Sequence, residues 1–298
     1  MERFIIQGGE RLSGTLRPSG SKNEALPALA ACLLTSEPVM LKNLPDIRDV
    51  QVMLEVLEAI GCDVQRLAPG TVRVHAETLG GAELPEELCK RIRASILFAG
   101  PMLARHGEVR LPPPGGDVIG RRRVDTHFLG LTALGARVTT EDGYHLSADK
   151  LVATEIFLDE QSVTATENIL MAASLAQGTT RLLNAACEPH VQGLCRMLMS
   201  MGAEVSGIGT NSVRITGARR LHGTTHTIGS DYLEIGSFMG LAAVTGSDIT
   251  ITDVRRDDLR MILHVFRKLG VNPELGENTL RVGPEFGVSH TAQQYVGT

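Results

Sequence analysis

The sequence has few aromatic residues and no excess of positive charge. Its 298 residues include no Trp, three Tyr and seven Phe, and its formal net charge is −5. Few rings are therefore available to stack on nucleic-acid bases, and an acidic chain is repelled by a phosphate backbone or by an anionic membrane surface. The composition argues against general nucleic-acid binding and against binding to a membrane surface.

Cysteine pairs and long apolar runs are also lacking. The five cysteines are Cys32, Cys62, Cys89, Cys187 and Cys195. Their odd number and the lack of a C-x-x-C pair predict buried thiols of a reducing compartment, without disulfide bonds or a zinc site. The longest apolar run, residues 28–34, is too short to span a bilayer, and the N-terminal segment lacks the apolar core of a signal peptide. We therefore expect a cytoplasmic protein.

A unit of about 70 residues recurs in tandem along the chain. Its marker is a glycine that follows a bulky apolar residue at the end of an amphipathic segment. The copies of this glycine are Gly61, Gly135, Gly202 and Gly270. Because glycine is common directly after the end of a helix, each copy predicts a helix that stops there.

Each copy has the same predicted inner order: a helix, a short strand, a second helix that ends at the glycine, and a hairpin. The first helices are predicted around residues 22–34, 91–103, 166–176 and 234–244. In the second helix of the first copy, apolar residues recur at intervals of three and four, which places them on one face. Turn sequences such as Pro-Gly and Asp-Gly indicate the hairpins. We predict an α+β fold of tandem β-α-β-α-β-β repeats, three of which enclose their helices as an inside-out, barrel-like domain.

The loop at residues 110–127 combines stiffness, flexibility and charge. Three prolines at 112–114 hold its backbone extended, and Gly115 and Gly116 release it. Asp117 lies at the apex, and the nearby arginines are Arg110, Arg121, Arg122 and Arg123. The pattern predicts a loop that closes over an anion and presents a proton; the alternative is a solvated connector.

Lys22 and Asn23 lie where a Ser-Gly-Ser turn meets a predicted helix. Unpaired N–H groups and the helix dipole attract anions at such a position, and the lysine adds a full charge. The alternative is capping by Asn23 beside a solvated lysine, with Pro27 in the first turn. Arg93, on a predicted helix with Arg91, is either a ligand-binding arginine or part of a solvated charge run.

Five motifs accompany the repeats: SGSKN at 19–23, RIRAS at 91–95, and the stretches 111–125, 162–168 and 231–238. With the repeats, they resemble the enolpyruvyl transferases, and the similarity extends from residue 4 to about residue 282.

The resemblance implies two domains. The first, at 22–229, contains three repeats and carries the loop 110–123. The second is partial and is formed by 1–21 and 230–298, with one repeat plus the N-terminal segment. The family has three repeats in that domain, so the chain resembles a family member shortened by about two repeat lengths.

The resemblance also implies an activity. The proline–glycine loop and the R-x-R-A-S pattern are similar to those of the family branch that transfers the enolpyruvyl group of phosphoenolpyruvate to the 3-hydroxyl of UDP-N-acetylglucosamine. Phosphate is released in this first committed step of peptidoglycan synthesis. No metal, nicotinamide or flavin is implied. The alternatives are a transferase that acts on shikimate 3-phosphate, and a non-catalytic chain that binds a ligand or partner. Because an incomplete second domain would expose apolar helix faces, we also expect self-association or poor order of that domain, and little activity from this chain alone.

The family's site residues are carried over position by position. Asp117 lies where most relatives have the cysteine that protonates the methylene carbon of phosphoenolpyruvate, and this replacement implies resistance to fosfomycin. Lys22 and Asn23 match residues that bind phosphoenolpyruvate. The positions that match UDP-N-acetylglucosamine contacts are Arg93, Arg122, Arg123, Val124, Asp125, Thr126, Glu160, Gln161, Ser162 and Val163. Arg123 replaces a proline, Thr126 a leucine and Glu160 a basic residue of some relatives. His127 either orders the loop or ligand or is a structural histidine.

Overall fold

The computed structural model describes residues 3–5, 7–116 and 123–286. The α-helices of these ranges are α1 (Lys22–Ala31), α2 (Arg48–Ala59), α3 (Glu86–Cys89), α4 (Ala99–His106), α5 (Asp125–Ala133), α6 (Val163–Ala173), α7 (Pro189–Ser200), α8 (Tyr232–Thr245) and α9 (Arg260–Lys268). Short 3-10 helices lie at Cys32–Leu34, Arg93–Phe98, Arg256–Leu259 and Pro284–Phe286. Within the described ranges, no helix combines the length and the apolar character needed to cross a membrane.

The strands are short. They are β1 (Ser13–Leu16), β2 (Val39–Lys42), β3 (Asp63–Ala68), β4 (Thr71–His75), β5 (Glu108–Leu111), β6 (Arg137–Thr139), β7 (Tyr144–Ser147), β8 (Glu155–Phe157), β9 (Thr179–Leu183), β10 (Glu204–Ser206), β11 (Ser212–Thr216), β12 (Thr225–Thr227), β13 (Asp248–Ile251), β14 (Glu274–Leu275) and β15 (Leu280–Val282).

Each repeat of the sequence forms one small mixed sheet. The strand orders are β12-β2-β4-β3, β5-β7-β6, β10-β11-β9-β8 and β1-β13-β15-β14. In every sheet the closing hairpin is antiparallel, and in three sheets a strand from elsewhere in the chain pairs in parallel: β12 with β2, β8 with β9, and β1 with β13. In the sheet of β5, a single parallel bridge between Glu83 and Arg110 takes that position. The predicted α+β class and repeat order are confirmed.

The marker glycines end their helices as predicted. Gly61, Gly135, Gly202 and Gly270 have φ values of +97°, +108°, +106° and +84°. Each directly follows the C-cap residue of its helix, which is α2, α5, α7 or α9. A left-handed φ is accessible to glycine without steric cost, which allows the chain to leave the helix and enter the next hairpin.

The chain divides into two compact units. One is Ser21–Gly229, which contains three of the sheets and α1 to α7. The other consists of the described residues before Ser21 and from Ser230 onward, and it contains the sheet of β1 together with α8 and α9.

The helices of the Ser21–Gly229 unit lie inside it. Residues 24–31 of α1 and 165–173 of α6 are all buried, so these stretches have no exposed face. The helices α4, α5 and α7 pack against α6, and α2 and α7 pack against α1. The sheets carry much of the exposed surface, and β3 is exposed along most of its length. This arrangement confirms the prediction of enclosed helices.

Two glycines allow the closest helix contacts in this core. A Cβ at Gly100 of α4 would lie 2.3 Å from the carbonyl oxygen of Asn168 in α6. A Cβ at Gly130 of α5 would lie 2.1 Å from Cδ1 of Ile169. Because real Cβ atoms do not approach other atoms so closely, glycine is required for these helix separations.

The first helix of the second repeat differs from the prediction. Instead of one helix over 91–103, the chain forms a 3-10 helix at Arg93–Phe98 and then α4 from Ala99. Pro101 is the third residue of α4, in the first turn, where its missing N–H leaves no helical hydrogen bond unmade. The α-helix therefore starts just before the proline.

Candidate functional site

A cleft of about 550 Å³ lies in the Ser21–Gly229 unit, where the N-terminal ends of three α-helices meet. Its lining comes from the first turns of α1, α2 and α6 and from the 3-10 helix at Arg93–Phe98. The lining residues are Lys22, Asn23, Leu26, Pro27, Arg48, Asp49, Arg91, Ile92, Arg93, Ala94, Leu97, Gly116, Val163, Thr164 and Glu167. Helix N-termini carry partial positive charge, and this cleft adds one lysine and three arginines to them. The geometry therefore favours an anionic ligand.

Lys22 is the first residue of α1, directly after the extended Ser21. Its Nζ lies 2.6 Å from Oδ2 of Asp49, at the start of α2, and both side chains are partly exposed. An ion pair in contact with solvent contributes little stability. A ligand anion can therefore replace Asp49 as the partner of Lys22 at small cost.

Asn23 is not the N-cap that the sequence suggested. Ser21 holds the N-cap position, without a side-chain hydrogen bond, and α1 begins at Lys22. Pro27 is therefore the sixth helical residue and not part of the first turn. Because proline has no N–H, the carbonyl oxygen of Asn23 lacks the donor that it would have in a regular helix. This leaves a polar backbone group of α1 next to the cleft.

Arg91 and Arg93 both line the cleft and have partners in the protein. Nη1 of Arg91 donates to Oε2 of Glu55 at 2.7 Å. Nη2 of Arg93 donates to the carbonyl oxygen of Arg123 at 3.1 Å. Arg93 thus connects the cleft to the segment 123–126, which the sequence predicted to contact the same ligand.

The segments 123–126 and 160–163 meet beside the cleft. Oγ1 of Thr126 donates to Oε1 of Glu160 at 3.1 Å, and Arg123 forms an ion pair with Asp125. The hydrogen bond with Arg123 lowers the pKa of Asp125 below its ordinary value. The side chains at positions 123, 125, 126 and 160 therefore have partners within these two segments.

Ser162 caps the helix that leads into the cleft. Its Oγ accepts a hydrogen bond from the N–H of Ala165 at 3.4 Å, at the start of α6, and Val163 then lines the cleft. Gln161, which precedes Ser162, is exposed. Asp117 and Arg122 lie outside the described residues, and Gly116, the last described residue before Asp117, lines the cleft.

His127 is a buried structural histidine. Its Nδ1 accepts a hydrogen bond from Nδ2 of Asn168 at 3.0 Å, so the ring carries its proton on Nε2 and donates it to Oγ1 of Thr164 at 3.1 Å. Burial, and secondarily the charge of Arg93, lowers the pKa of His127 to about 3, so the ring is neutral. Of the two roles left open by the sequence, this geometry favours the structural one.

Asn168 was not singled out from the sequence, although it holds the wall of the cleft together. Its Nδ2 also donates to the carbonyl oxygen of Ile96 at 2.7 Å, and its Oδ1 accepts from the N–H of Gly100 at 2.6 Å. One buried amide therefore links α5, α6, the 3-10 helix at Arg93–Phe98 and α4. The sequence does contain one indication of this role, which is an Asn within an otherwise apolar helical run.

Glu167 was also missed. It lines the cleft from α6 but is only 1% exposed, and its Oε1 has no hydrogen-bond partner in the described part of the chain. Burial, then Glu188 and Glu24, raise the pKa of Glu167 well above its ordinary value. The cleft thus contains a carboxyl group that favours its neutral form.

The thiols are free. Four cysteines are buried as predicted, whereas Cys187 is exposed and that part of the prediction is wrong. Burial raises the pKa of Cys89 to about 11 and that of Cys62 to about 12, so these groups are thiols at neutral pH. Among the described residues, no group of three or more His, Cys, Asp or Glu side chains is arranged to hold a metal ion.

Comparison with known proteins finds a matching family model and similar curated proteins. The family model for EPSP synthase (3-phosphoshikimate 1-carboxyvinyltransferase) matches residues 6–294. The chain is 55% identical over 282 residues to the UDP-N-acetylglucosamine 1-carboxyvinyltransferase of Treponema denticola, covering 95% of this chain and 66% of that protein. It is 49% identical over 293 residues to the protein of the same name from Bradyrhizobium diazoefficiens, covering 96% of this chain and 68% of that protein. The chain thus spans about two thirds of the length of these curated relatives.

Solved structures share the fold. The enolpyruvyl transferase NikO from Streptomyces tendae matches with a TM-score of 0.81 and 24% identity, over 97% of this chain and 72% of that one. EPSP synthase from Acinetobacter baumannii matches with a TM-score of 0.72 and 19% identity, over 94% of this chain and 66% of that one. At these identities the likeness is evidence for the fold alone.

Proposed function

Because this chain belongs to the EPSP synthase family of enolpyruvyl transferases, we propose that it transfers the enolpyruvyl group of phosphoenolpyruvate to the 3-hydroxyl of UDP-N-acetylglucosamine. Phosphate is released, in the first committed step of peptidoglycan synthesis. The observation that carries this proposal is the cleft at the N-terminal ends of α1, α2 and α6, with its lysine and arginines. High identity to relatives named UDP-N-acetylglucosamine 1-carboxyvinyltransferase supports this choice of acceptor.

We assign the two substrates to different parts of the cleft. Lys22 and Asn23 bind the phosphate and carboxylate of phosphoenolpyruvate, because a full positive charge and the N-terminal end of α1 coincide there. Arg93 and the segments 122–126 and 160–163 bind the nucleotide sugar. The contacts of Arg93 with Arg123 and of Thr126 with Glu160 support this assignment, since they bring these segments together.

The proposed reaction is an addition followed by an elimination. The sugar hydroxyl attacks C2 of phosphoenolpyruvate and gives its proton to the solvent, while a proton is delivered to the C3 methylene. The resulting tetrahedral ketal loses phosphate and a proton from C3 to form the enol ether. Asp117 is the proposed proton donor at C3, which requires its acid form when substrate is bound. This assignment rests on the sequence, as Asp117 lies outside the described residues.

The proposal has cellular consequences. A carboxylate is a far poorer nucleophile than a thiolate toward the epoxide of fosfomycin, so we propose that the enzyme resists this inhibitor. As a step of cell-wall biogenesis, the reaction would contribute to cell shape, cell division and the cell cycle. We place it in the cytoplasm.

We also propose that the 298-residue chain has little activity by itself and associates with itself. The supporting observation is the exposed apolar surface of α8 and α9, where Val244 is 76% and Met261 is 72% exposed. The second candidate function, ligand binding without turnover, is favoured by the location of the whole cleft within the Ser21–Gly229 unit.

Titration calorimetry with UDP-N-acetylglucosamine tests ligand binding, and phosphate release in the presence of phosphoenolpyruvate tests turnover. We expect Lys22→Ala to weaken binding of phosphoenolpyruvate about tenfold or more, because a hydrogen bond to a charged group is lost. Lys42→Ala is the matched control, since Lys42 is exposed on β2 and does not line the cleft.

The outcomes separate the candidates. Phosphate release with UDP-N-acetylglucosamine, and none with shikimate 3-phosphate, supports the proposed acceptor. Binding without release supports the non-catalytic alternative for this chain. Release with shikimate 3-phosphate alone would overturn the proposed acceptor.

A further inference from the structure

Glu167 occupies an unusual position for an acidic residue. It lies on α6 one turn after Val163 and Thr164, and together these residues form the α6 wall of the cleft. Its side chain is nine-tenths or more buried and its Oε1 lacks a hydrogen-bond partner in the described ranges. A buried, unpaired carboxyl oxygen costs free energy unless a ligand or water completes its hydrogen bonds.

Two further acids act electrostatically on Glu167. Glu24, on α1, is 4% exposed, and its two oxygens accept hydrogen bonds from Nε2 of His226 at 2.8 Å and from the N–H of Gly229 at 3.2 Å. Glu188, directly before α7, also has a buried oxygen, Oε2, without a hydrogen-bond partner in the described ranges. Both negative charges disfavour ionisation of Glu167.

The other titratable groups around Glu167 do not offset this effect. Lys22 of α1 is paired with Asp49, and Arg93 donates to a backbone carbonyl. On α5, the ring of His127 is neutral, and on α7 the thiol of Cys195 has a pKa raised to about 12. His190, in the first turn of α7, is also buried.

An ionised Glu167 would repel the anion that the rest of the cleft attracts. We propose that Glu167 acts as a neutral acid that donates its O–H to an anionic group of the ligand in the cleft, so that affinity for the anion falls when this carboxyl ionises. This inference rests on the proposed function, because it takes the anion to be that of UDP-N-acetylglucosamine or phosphoenolpyruvate. A phosphate oxygen would accept a proton carried by Oε1 of Glu167, which has no hydrogen-bond partner in the described ranges.

The test is the pH dependence of binding, measured by titration calorimetry from about pH 5 to about pH 9. UDP-N-acetylglucosamine is the first probe, because its diphosphate stays ionised over this range. We expect the affinity of the parent protein to fall about tenfold or more as the pH rises. Glu167→Gln keeps a hydrogen-bond donor and cannot ionise, so its affinity should lose this pH dependence.

Glu188→Gln is the second variant. It removes a negative neighbour of Glu167, so the fall in affinity should move to lower pH. A purely structural role of Glu167 predicts no such shift. Circular dichroism of both variants verifies that they are folded.

Sulfate is the second probe, since it is an anion of constant charge without nucleotide or sugar. Suppose that sulfate binds with a pH dependence that Glu167→Gln abolishes, and that UDP-N-acetylglucosamine does not bind. This result would support the inference and contradict the proposed acceptor. Superimposable pH profiles of the parent and Glu167→Gln, or tighter binding by the parent at high pH, would overturn the inference. Failure of both probes to bind any folded variant would overturn it as well.

Discussion

The two units of the chain bury their apolar helices to different extents. In the Ser21–Gly229 unit, Leu170 of α6 is fully buried, and every residue of α6 from 165 to 173 is buried with it. In the unit that contains α8, Val244 is 76% exposed, although α8 is as apolar in sequence as α6. Three sheets enclose the helices of the first unit, whereas the second has a single sheet. One repeat therefore cannot bury its own helices, and several repeats together can.

The largest expected effect comes from placing a charge at a buried position of α6 and at an exposed position of α8. Leu170→Lys puts an unpaired charge into the core and should lower the free energy of unfolding by about 4 kcal/mol or more. Val244→Lys should change it by less than about 0.5 kcal/mol, since the site is exposed. Urea denaturation followed by circular dichroism measures both values.

The same pair of variants tests self-association. Light scattering should show less association for Val244→Lys than for the parent. Similar stability losses in the two variants would mean that α8 is protected in solution, which would contradict the difference between the units.

A glycine-to-alanine pair should show a smaller contrast. Gly100→Ala places a Cβ 2.3 Å from the carbonyl oxygen of Asn168 and 2.6 Å from its Oδ1, so we expect a loss of about 3 kcal/mol. In α8, a Cβ at Gly240 would meet only Cζ of Phe266, at 3.8 Å. Gly240→Ala should therefore gain about 0.5 to 1 kcal/mol from helix propensity. An unchanged denaturation midpoint for Gly100→Ala would show that the α4–α6 contact is looser than described.

The smallest expected effect is the pH dependence that His127 contributes to the Ser21–Gly229 unit. Its pKa in the folded state is about 3, below the ordinary value of 6.5, so the unfolded chain takes up the proton first as the pH falls. Stability from this residue is complete above about pH 6.5 and decreases toward pH 3, by about 2 kcal/mol at pH 5.

Urea denaturation of the parent and of His127→Gln at several pH values isolates this contribution. The variant is expected to be less stable at pH 7 but to have the smaller slope between pH 7 and pH 5. Equal slopes would mean that His127 is not the buried neutral group described above.

Much of the repeat architecture could be predicted because it depends on short-range features. The C-terminal glycines need only a left-handed φ, and an interval of three or four between apolar residues is a property of one helix. The break at Arg93–Phe98 was missed, since the position of Pro101 relative to a helix start depends on how the neighbouring segments pack. The roles assigned to Lys22, Asn23, Arg93 and Asp117 remain predictions.

The sequence by itself determined where the second helix of each repeat ends, which helices are apolar, and where cationic residues precede helices. Only the tertiary structure decided which side chains are desolvated together: His127 with Asn168, and Glu167 with Glu24 and Glu188. The physical reason is that a glycine at a helix end and the spacing of apolar residues in a helix act through neighbours in the chain. The protonation of a buried group is instead set by burial and by charges from distant segments, which no local pattern encodes.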